Sequence, residues 1–245
     1  MDRDHALSAS SAKINATFAN GVLIVDGVRY ELAWIPAGTF AMGSNSPEAY
    51  SDEQPVHTVR ISREFRMGRT EVTQGLWQAV MGNNPSHFKN GDNYPVEQVS
   101  WGDCQTFIQK LNQVLGGNAF RLPTEAQWEC ACRAGTTADR YGNLDAIAWY
   151  DGNSGGSTHP VGQKQANAWG LNDTLGNVME WCQDWYGPYT AGYQVDPSGP
   201  AYGNFRVYRG GSCGRASRLV RAATRSSVTA DYRHSSLGFR LVSDM

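Results

Sequence analysis

The chain has no hydrophobic run long enough to cross a membrane. Its longest apolar runs, such as residues 21–25, fall far short of the roughly 20 residues that a bilayer-spanning helix needs. Residues 1–11 also lack the basic and then apolar pattern of a signal peptide. We therefore expect no transmembrane segment. The composition predicts a flexible or trimmed N-terminal segment at 1–19, followed by one domain at 20–245.

Excess charge of either sign is also missing. The 21 basic and 23 acidic residues give a formal net charge of -2. A chain so close to neutral has no overall field that would attract nucleic acid, so we expect no nucleic-acid partner. The five cysteines are odd in number and sparse, which excludes a disulfide scaffold. No long Pro, Ser or Gly run separates two patterned halves, so a single domain is favoured.

The apolar spacing predicts strands near both ends of the chain and helices between them. Residues 20–40 alternate around the turn signal Asp26-Gly27, which is typical of a hairpin. Helical spacing predicts helices over 71–81, over 101–115, and from the N-cap residue Thr124 to Gly135. Residues 136–245 are rich in Gly, Asn, Ser and aromatics, which predicts short strands in long loops. This order indicates an α+β fold.

Several uncommon strings then follow one another in a fixed order. They are IPAGTFAMGS at 35–44, EQPVH at 53–57, TEVT at 70–73, YPVEQVSW at 94–101, RLPTEAQWE at 121–129, GNVMEW at 176–181, RGGS at 209–212 and LGFR at 237–240. Together they resemble the formylglycine-generating-enzyme, or sulfatase-modifying-factor, family. The resemblance implies an α+β C-type lectin-like fold of the formylglycine-generating-enzyme subtype. It also implies much irregular loop structure and an N-terminal strand close to the C-terminal one.

The family's oxidases carry a cysteine pair a few residues apart downstream of the Gly-Gly-Ser string. Those two thiolates bind copper, and one thiol alone cannot supply such soft coordination. Residues 212–240 contain one cysteine, Cys213. We therefore expect no copper and no catalysis. The alternative is a sulfatase-modifying-factor-type enzyme, or a remnant of one, acting on cysteine or a related thiol.

The resemblance also implies a calcium site in the segment before Glu-Trp. Carried over to this sequence, the ligands would be the side chains of Asp173 and Glu180 and the carbonyls of Gly176 and Val178. Carboxylate and carbonyl oxygens on an irregular loop suit Ca²⁺. The competing interpretation is that Glu180 forms a local cap or ion pair.

The segment at about 213–236 mixes residues that match the family framework with short runs that look freely chosen. Arg221, Arg225 and Arg233, with Arg240 just beyond, match framework positions, and we expect them to hold loops through bidentate hydrogen bonds. The freely chosen positions form the predicted ligand-binding site. They are Cys213, Gly214, Arg215, Ser217, Arg218, Leu219, Thr224, Ser226, Ser227, Val228, Tyr232, His234, Ser235 and Ser236.

This pattern is similar to that of the variable proteins of diversity-generating retroelements, in particular the treponemal type. Their C-terminal region is rewritten at template adenines, in codons that cannot become Lys, Glu, Gln, Met or Trp. None of those five residues occurs from 195 to 244. The resemblance implies a non-catalytic binding protein on a bacterial outer membrane, held by a lipid anchor on a leader that this chain lacks. Its partner would be an unidentified protein or other macromolecule. The competing interpretation is an ordinary polar C-terminal loop.

Overall fold

The structure is a computed structural model that describes residues 14–244. Most of the predicted flexible segment at 1–19 lies outside the described residues. The part at 16–19 does not fit that prediction, because Ala16–Ala19 forms strand β1 and pairs with the next strand. The folded domain therefore begins earlier than residue 20. The alternating pattern that indicated a hairpin extends one strand further toward the N-terminus.

Twelve strands and four helices make up the described chain. The strands are β1 Ala16–Ala19, β2 Val22–Val25, β3 Val28–Ile35, β4 Gly38–Met42, β5 His57–Ile61, β6 Phe65–Gly68, β7 Met179–Trp185, β8 Gln194–Val195, β9 Arg206–Arg209, β10 Arg225–Val228, β11 Leu237–Gly238 and β12 Val242–Ser243. The helices are α1 Gln74–Met81, α2 Trp101–Leu115, α3 Glu125–Arg133 and α4 Leu144–Ile147. The α+β class is confirmed.

The strands form three sheets, with orders β1-β2-β3-β6-β12, β10-β9-β7-β11 and β4-β5-β8. In the first sheet, β6 lies between β3 near the N-terminus and β12 at the C-terminus. The expected closeness of the two chain ends is therefore present. Within the described chain, no helix has the length and apolar character needed to cross a bilayer.

The helix boundaries follow the capping chemistry of the sequence. The Thr124 hydroxyl accepts a hydrogen bond from the backbone N–H of Gln127, and the Gln127 side-chain oxygen accepts one from the Thr124 N–H. Ser100 caps α2 in the same way with Asp103. Helix α1 begins three residues later than predicted, because Thr73 takes the N-cap position. The short helix α4 was not predicted, and its four residues are too few to show a period.

Three apolar clusters fill the interior. The largest joins β2, β3, α1 and α2 to Trp181 of β7 and to Phe239. The second lies between the β3–β6 strands and α3. The third surrounds Trp128 and includes Val207 of β9 together with Val220 and Ala222. The C-terminal segment is thus attached to the core at Val220 and Ala222, and the site described next is built on that attachment.

Candidate ligand-binding surface

The C-terminal segment is fastened to the domain by buried arginines. Arg221 donates two hydrogen bonds to Glu53, at 2.8 and 2.6 Å, and both side chains are fully buried. It also donates to the carbonyls of Arg218 and Glu48. A bidentate guanidinium–carboxylate pair fixes orientation as well as distance. Arg221 therefore ties the segment to the loop around residues 48–53.

Arg225 and Arg240 repeat the same arrangement further along the chain. Arg225 donates to both carboxylate oxygens of Glu125, at 2.8 and 2.6 Å. Arg240 donates to both oxygens of Glu180, at 2.7 and 2.6 Å. Each arginine also reaches backbone carbonyls. Burial lowers the pKa of each guanidinium, but the carboxylate partners more than offset this, so the pKa of both is raised and both stay charged.

Arg233 makes the fourth pair, with Asp103 of α2, at 2.8 and 3.0 Å. This pair lies at the surface, where half of the Arg233 side chain is exposed. Exposed ion pairs contribute little to stability, about 0–1 kcal/mol. All four framework arginines thus hold loops through bidentate bonds, as the sequence predicted, but three do so in the interior and one at the surface.

The predicted ligand-binding positions divide by burial. Exposed are Gly214, Arg215, Ser217, Arg218, Tyr232 and His234; half-buried are Leu219, Ser226, Ser227, Val228 and Ser235; buried are Cys213, Thr224 and Ser236. Eleven of the fourteen therefore reach the surface at least in part. The framework residues between them, from Val220 to Ala223, are buried. Along this segment, buried residues that anchor the backbone alternate with residues whose side chains reach the solvent.

A cleft of about 430 Å³ gathers five of these positions. Its lining includes Arg215, Leu219, Thr224, Ser226 and Ser227. Strand β10 contributes Ser226, which pairs with Tyr208 of β9 and lies beside it. A cavity of this size is within the usual range of about 300–1,000 Å³ for small-ligand sites, and it is also large enough for a protruding part of a larger partner.

Tyr232 and His234 are not among the residues that line the cleft. Their rings stack with centroids 6.1 Å apart and planes inclined at 14°. Partial burial and the nearby positive charge of Arg215 lower the pKa of His234. The imidazole is therefore mostly neutral at pH 7. Arg215, Tyr232 and His234 are all exposed, and Arg215 is the one of the three that lines the cleft.

The three buried positions make contacts inside the domain. Cys213 donates its N–H to the Asn177 carbonyl, and its own carbonyl accepts from Ser154 Oγ. Burial raises the pKa of the Cys213 thiol to about 11. Ser236 Oγ is 2.9 Å from His234 Nδ1, within hydrogen-bonding distance, so it helps to orient the imidazole. Thr224 lines the cleft, but its buried hydroxyl has no hydrogen-bond partner.

Residues far from the C-terminal segment complete the cleft. Tyr50, Asp52 and Met179 line it, as does Tyr208. Sequence reasoning did not single them out, because Tyr50 and Asp52 come from a loop about 160 positions earlier in the chain and carry no motif of their own. Arg221, which pairs with Glu53, and Arg225, which donates to the Asp52 carbonyl, hold that loop alongside β10.

The four residues expected to hold calcium fit the ion only in part. Both carboxylate oxygens of Glu180 are taken by Arg240, and one of them also accepts from Trp128 Nε1 at 2.8 Å. Glu180 is therefore ion-paired, but with a residue 60 positions away and not locally, as the competing interpretation had it. Asp173 Oδ2 accepts from the Gly162 N–H, whereas its buried Oδ1 has no partner. Within residues 14–244, no three His, Cys, Asp or Glu side chains come together as a metal-binding group.

Glu71 is a further acidic residue at this place that sequence reasoning missed. It is fully buried, and neither of its carboxylate oxygens has a partner. Burial and the nearby Asp173 raise the pKa of Glu71 well above its usual range. Burial likewise raises the pKa of Asp173 to about 6. A cation or a proton must compensate these oxygens. Calcium binding at Asp173, Gly176, Val178 and Glu180 stays a prediction, and Glu71 adds a buried carboxylate beside it.

Comparisons with known proteins agree with this geometry. Residues 28–245 match the model of a family described as the sulfatase-modifying factor enzyme 1-like domain. The formylglycine-generating enzyme of Streptomyces coelicolor is 32% identical over 86% of this chain and 88% of its own length. The structure of Treponema denticola variable protein 1 is 34% identical and superposes with a TM-score of 0.83, covering 95% of this chain and 99% of that one.

A third comparison concerns the fold alone. The structure of PvdO from Pseudomonas aeruginosa is 24% identical, with a TM-score of 0.76 over 89% of this chain and 94% of that one. Together these likenesses confirm the C-type lectin-like fold of the formylglycine-generating-enzyme subtype that the sequence resemblance implied.

Proposed function

The chain belongs to the sulfatase-modifying factor family, and we propose that it is a non-catalytic ligand-binding protein of that family. A shared fold does not by itself imply a shared activity. The C-terminal segment of the chain is diversified by a retroelement, which varies the binding specificity. The likeness to Treponema denticola variable protein 1 over nearly the whole chain supports this proposal.

One observation carries the proposal: the residues that anchor the backbone are not the residues that face the solvent. The buried pairs Arg221–Glu53 and Arg225–Glu125 anchor the segment, while exposed Arg215, Ser217 and Arg218 make no buried ion pair. Exposed side chains can usually be exchanged for less than about 0.5 kcal/mol, whereas a buried pair cannot be broken cheaply. Such a segment can change its presented residues and keep its shape.

The presented side chains are chemically suited to binding. Ser217, Ser226 and Ser227 offer adaptable hydrogen bonds, and Tyr232 and His234 offer flat contact area. Antibody binding loops use a similar mixture, in which Tyr supplies contact area at low entropic cost and Ser supplies adaptable polar contacts. The partner is an unidentified protein or other macromolecule that touches this face.

The alternative, an enzyme acting on cysteine or a related thiol, has less support. Cys213 is buried, and its pKa is raised to about 11, so the reactive thiolate is scarce at neutral pH. The relative from Streptomyces coelicolor is a formylglycine-generating enzyme by name, which keeps this alternative open to a direct assay. Conversion of a cysteine-containing peptide by the copper-loaded protein would support the enzyme and contradict our proposal.

Display on the bacterial outer membrane through a lipid anchor is part of the same proposal. It is supported by the resemblance to diversified variable proteins and by the exposed binding face. Metabolic labelling of the native gene product with a fatty-acid analogue, followed by protease treatment of intact cells, tests it. Absence of label, or protection from protease, would contradict surface display.

Two libraries test the separation of scaffold and recognition. The first randomises the six exposed positions Gly214, Arg215, Ser217, Arg218, Tyr232 and His234. The matched library randomises six buried framework positions, Val220, Arg221, Ala222, Ala223, Arg225 and Arg240. We expect most members of the first library, and few of the second, to resist proteolysis. Equal loss of folded protein in both would contradict the proposal, as would the absence of a near-copy of the gene's 3′ end that differs at adenines.

A further inference from the structure

The arginines between residues 213 and 240 fall into two groups. Arg221, Arg225, Arg233 and Arg240 each pair with a carboxylate, as described above. Arg215 and Arg218 do not: within residues 14–244, neither has a carboxylate within 4.0 Å. The unpaired arginines are the two at predicted variable positions. Their charges are therefore not needed for folding and remain free to meet a partner.

Arg215 and Arg218 touch only neutral groups. The Arg215 guanidinium donates to Met179 Sδ at 4.0 Å, and a thioether sulfur is a weak acceptor. Arg218 donates to Tyr50 Oη at 2.6 Å. Met179 and Tyr50 both line the cleft. Arg215 thus brings an uncompensated positive charge into the cleft, and Arg218 brings a second one to its rim beside Tyr50.

The deeper wall of the cleft also lacks hydrogen-bond partners. Thr224 is only 6% exposed and its hydroxyl is unpaired. Arg209 lines the same wall, and its buried Nε–H donates to no acceptor in the described residues. Buried polar groups in native proteins nearly always find partners. These two donors are themselves buried, so the group that a ligand in the cleft meets is the exposed guanidinium of Arg215, and an acceptor that carries negative charge matches it.

Only one acidic residue, Asp52, is among the described residues that line the cleft, and its carboxylate accepts a hydrogen bond from Tyr186 Oη at 2.9 Å. The Asp52 carboxylate therefore already has a hydrogen-bond partner, and that partner is Tyr186 and neither Arg215 nor Arg218. Apolar surface from Met179 and Leu219 flanks Arg215. A carboxylate on a short methylene stem fits this mixture, because the stem contacts the apolar side chains while the oxygens accept from the Arg215 guanidinium.

We propose that this variant recognises an acidic segment of a protein partner, with an Asp or Glu side chain of that partner held in the cleft by Arg215. Arg218 and Tyr50 contact the same segment at the rim. The inference rests on the proposed binding function and names the chemistry of the ligand. A sibling variant with other residues at 215 and 218 would select a different partner.

A random twelve-residue peptide library displayed on phage tests this. Clones are selected on the wild-type protein and then sorted by their binding to Ser226→Trp, which fills the cleft without removing an arginine. Clones lost on Ser226→Trp are defined as cleft-dependent. We expect these clones to be enriched in Asp and Glu. We expect their synthetic peptides to bind Arg215→Gln at least about tenfold more weakly, since an unpaired charge at an interface is costly.

Matched controls separate the possible outcomes. Arg63→Gln removes an exposed positive charge away from the cleft and should leave binding unchanged. Replacing the acidic residues of a peptide by Gln or Asn should weaken binding as much as Arg215→Gln does. Cleft-dependent clones without acidic residues, or clones indifferent to Arg215→Gln, would overturn the inference but not the binding function. A library that yields no cleft-dependent clone, while Ser226→Trp unfolds like wild type, would overturn both.

Discussion

Replacing Arg221 should destabilise the protein far more than replacing Arg218, although the two residues are three positions apart. In Arg221→Leu, the carboxylate of Glu53 stays fully buried and loses hydrogen bonds of 2.6 and 2.8 Å. The carbonyls of Arg218 and Glu48 lose a donor as well. Breaking a buried pair costs about 3–5 kcal/mol. For a domain of this size that corresponds to a fall in melting temperature of about 6–20 °C.

Arg218→Leu is the matched control, because it makes the same substitution at an exposed position. The described hydrogen bond of the Arg218 side chain goes to Tyr50 Oη. We expect a change within about 0.5 kcal/mol. The double variant Arg221→Leu/Glu53→Leu should recover much of the loss, since no buried charge is left unpaired. Urea unfolding followed by fluorescence of the eight tryptophans measures all three.

Comparable effects of Arg221→Leu and Arg218→Leu would refute the reasoning. The ion pairs would then not be what holds the segment, and the distinction between framework and presented residues would have no energetic basis. A large effect of Arg221→Leu that the double variant did not relieve would show that lost packing, and not a stranded carboxylate, sets the cost.

Three further predictions concern buried acids and thiols. Burial and Glu125 raise the pKa of Asp184 to about 7; the folded state therefore keeps this proton better than the unfolded chain, and ionisation costs stability as pH rises from about 4 to about 7. Relative to wild type, Asp184→Asn should gain about 4 kcal/mol of unfolding free energy between pH 4 and pH 8 in urea unfolding, at about 1.4 kcal/mol per pKa unit; a pH-independent difference would contradict this. Millimolar Ca²⁺ should raise the melting temperature of wild type in scanning fluorimetry but not that of Glu71→Gln or Asp173→Asn, because each removes a carboxylate with an unpaired oxygen; an equal rise in all three would place the ion elsewhere. The five cysteines, all free and buried, should react with a disulfide reagent at pH 8 only after unfolding, and one fast thiol in the native protein would reopen the enzyme alternative.

The calcium prediction shows how a motif can indicate a place without giving its chemistry. The family resemblance pointed to the segment from Asp173 to Glu180, where both carboxylates are buried, yet Glu180 is paired with Arg240, which is 60 positions later. Glu71, about a hundred positions earlier, brings the unpaired oxygens instead. Spacing along one loop cannot reveal which distant charge meets it.

Local chemistry was enough to predict much of the fold from sequence. Helix α2 has the predicted bounds, Trp101–Leu115, because Ser100 and Gly116 cap it and its apolar period is unbroken. The turn at Asp26-Gly27 joins β2 to β3, because both residues adopt positive φ. The family strings added the framework arginines. Each of these signals lies within a few residues of the structure it determines.

The binding cleft was decided by the tertiary structure. The cleft brings Tyr50, Met179 and Tyr208 together with Arg215 and Ser226. This requires the pairing of β7, β9 and β10 and the ion pair between Arg221 and Glu53. The same packing buries Thr224 and leaves Arg215 without a carboxylate, although the sequence presents both as equivalent variable positions. Periodicity and capping act between neighbours in the chain, whereas burial and charge pairing depend on residues that are distant in the chain and meet only in the folded domain.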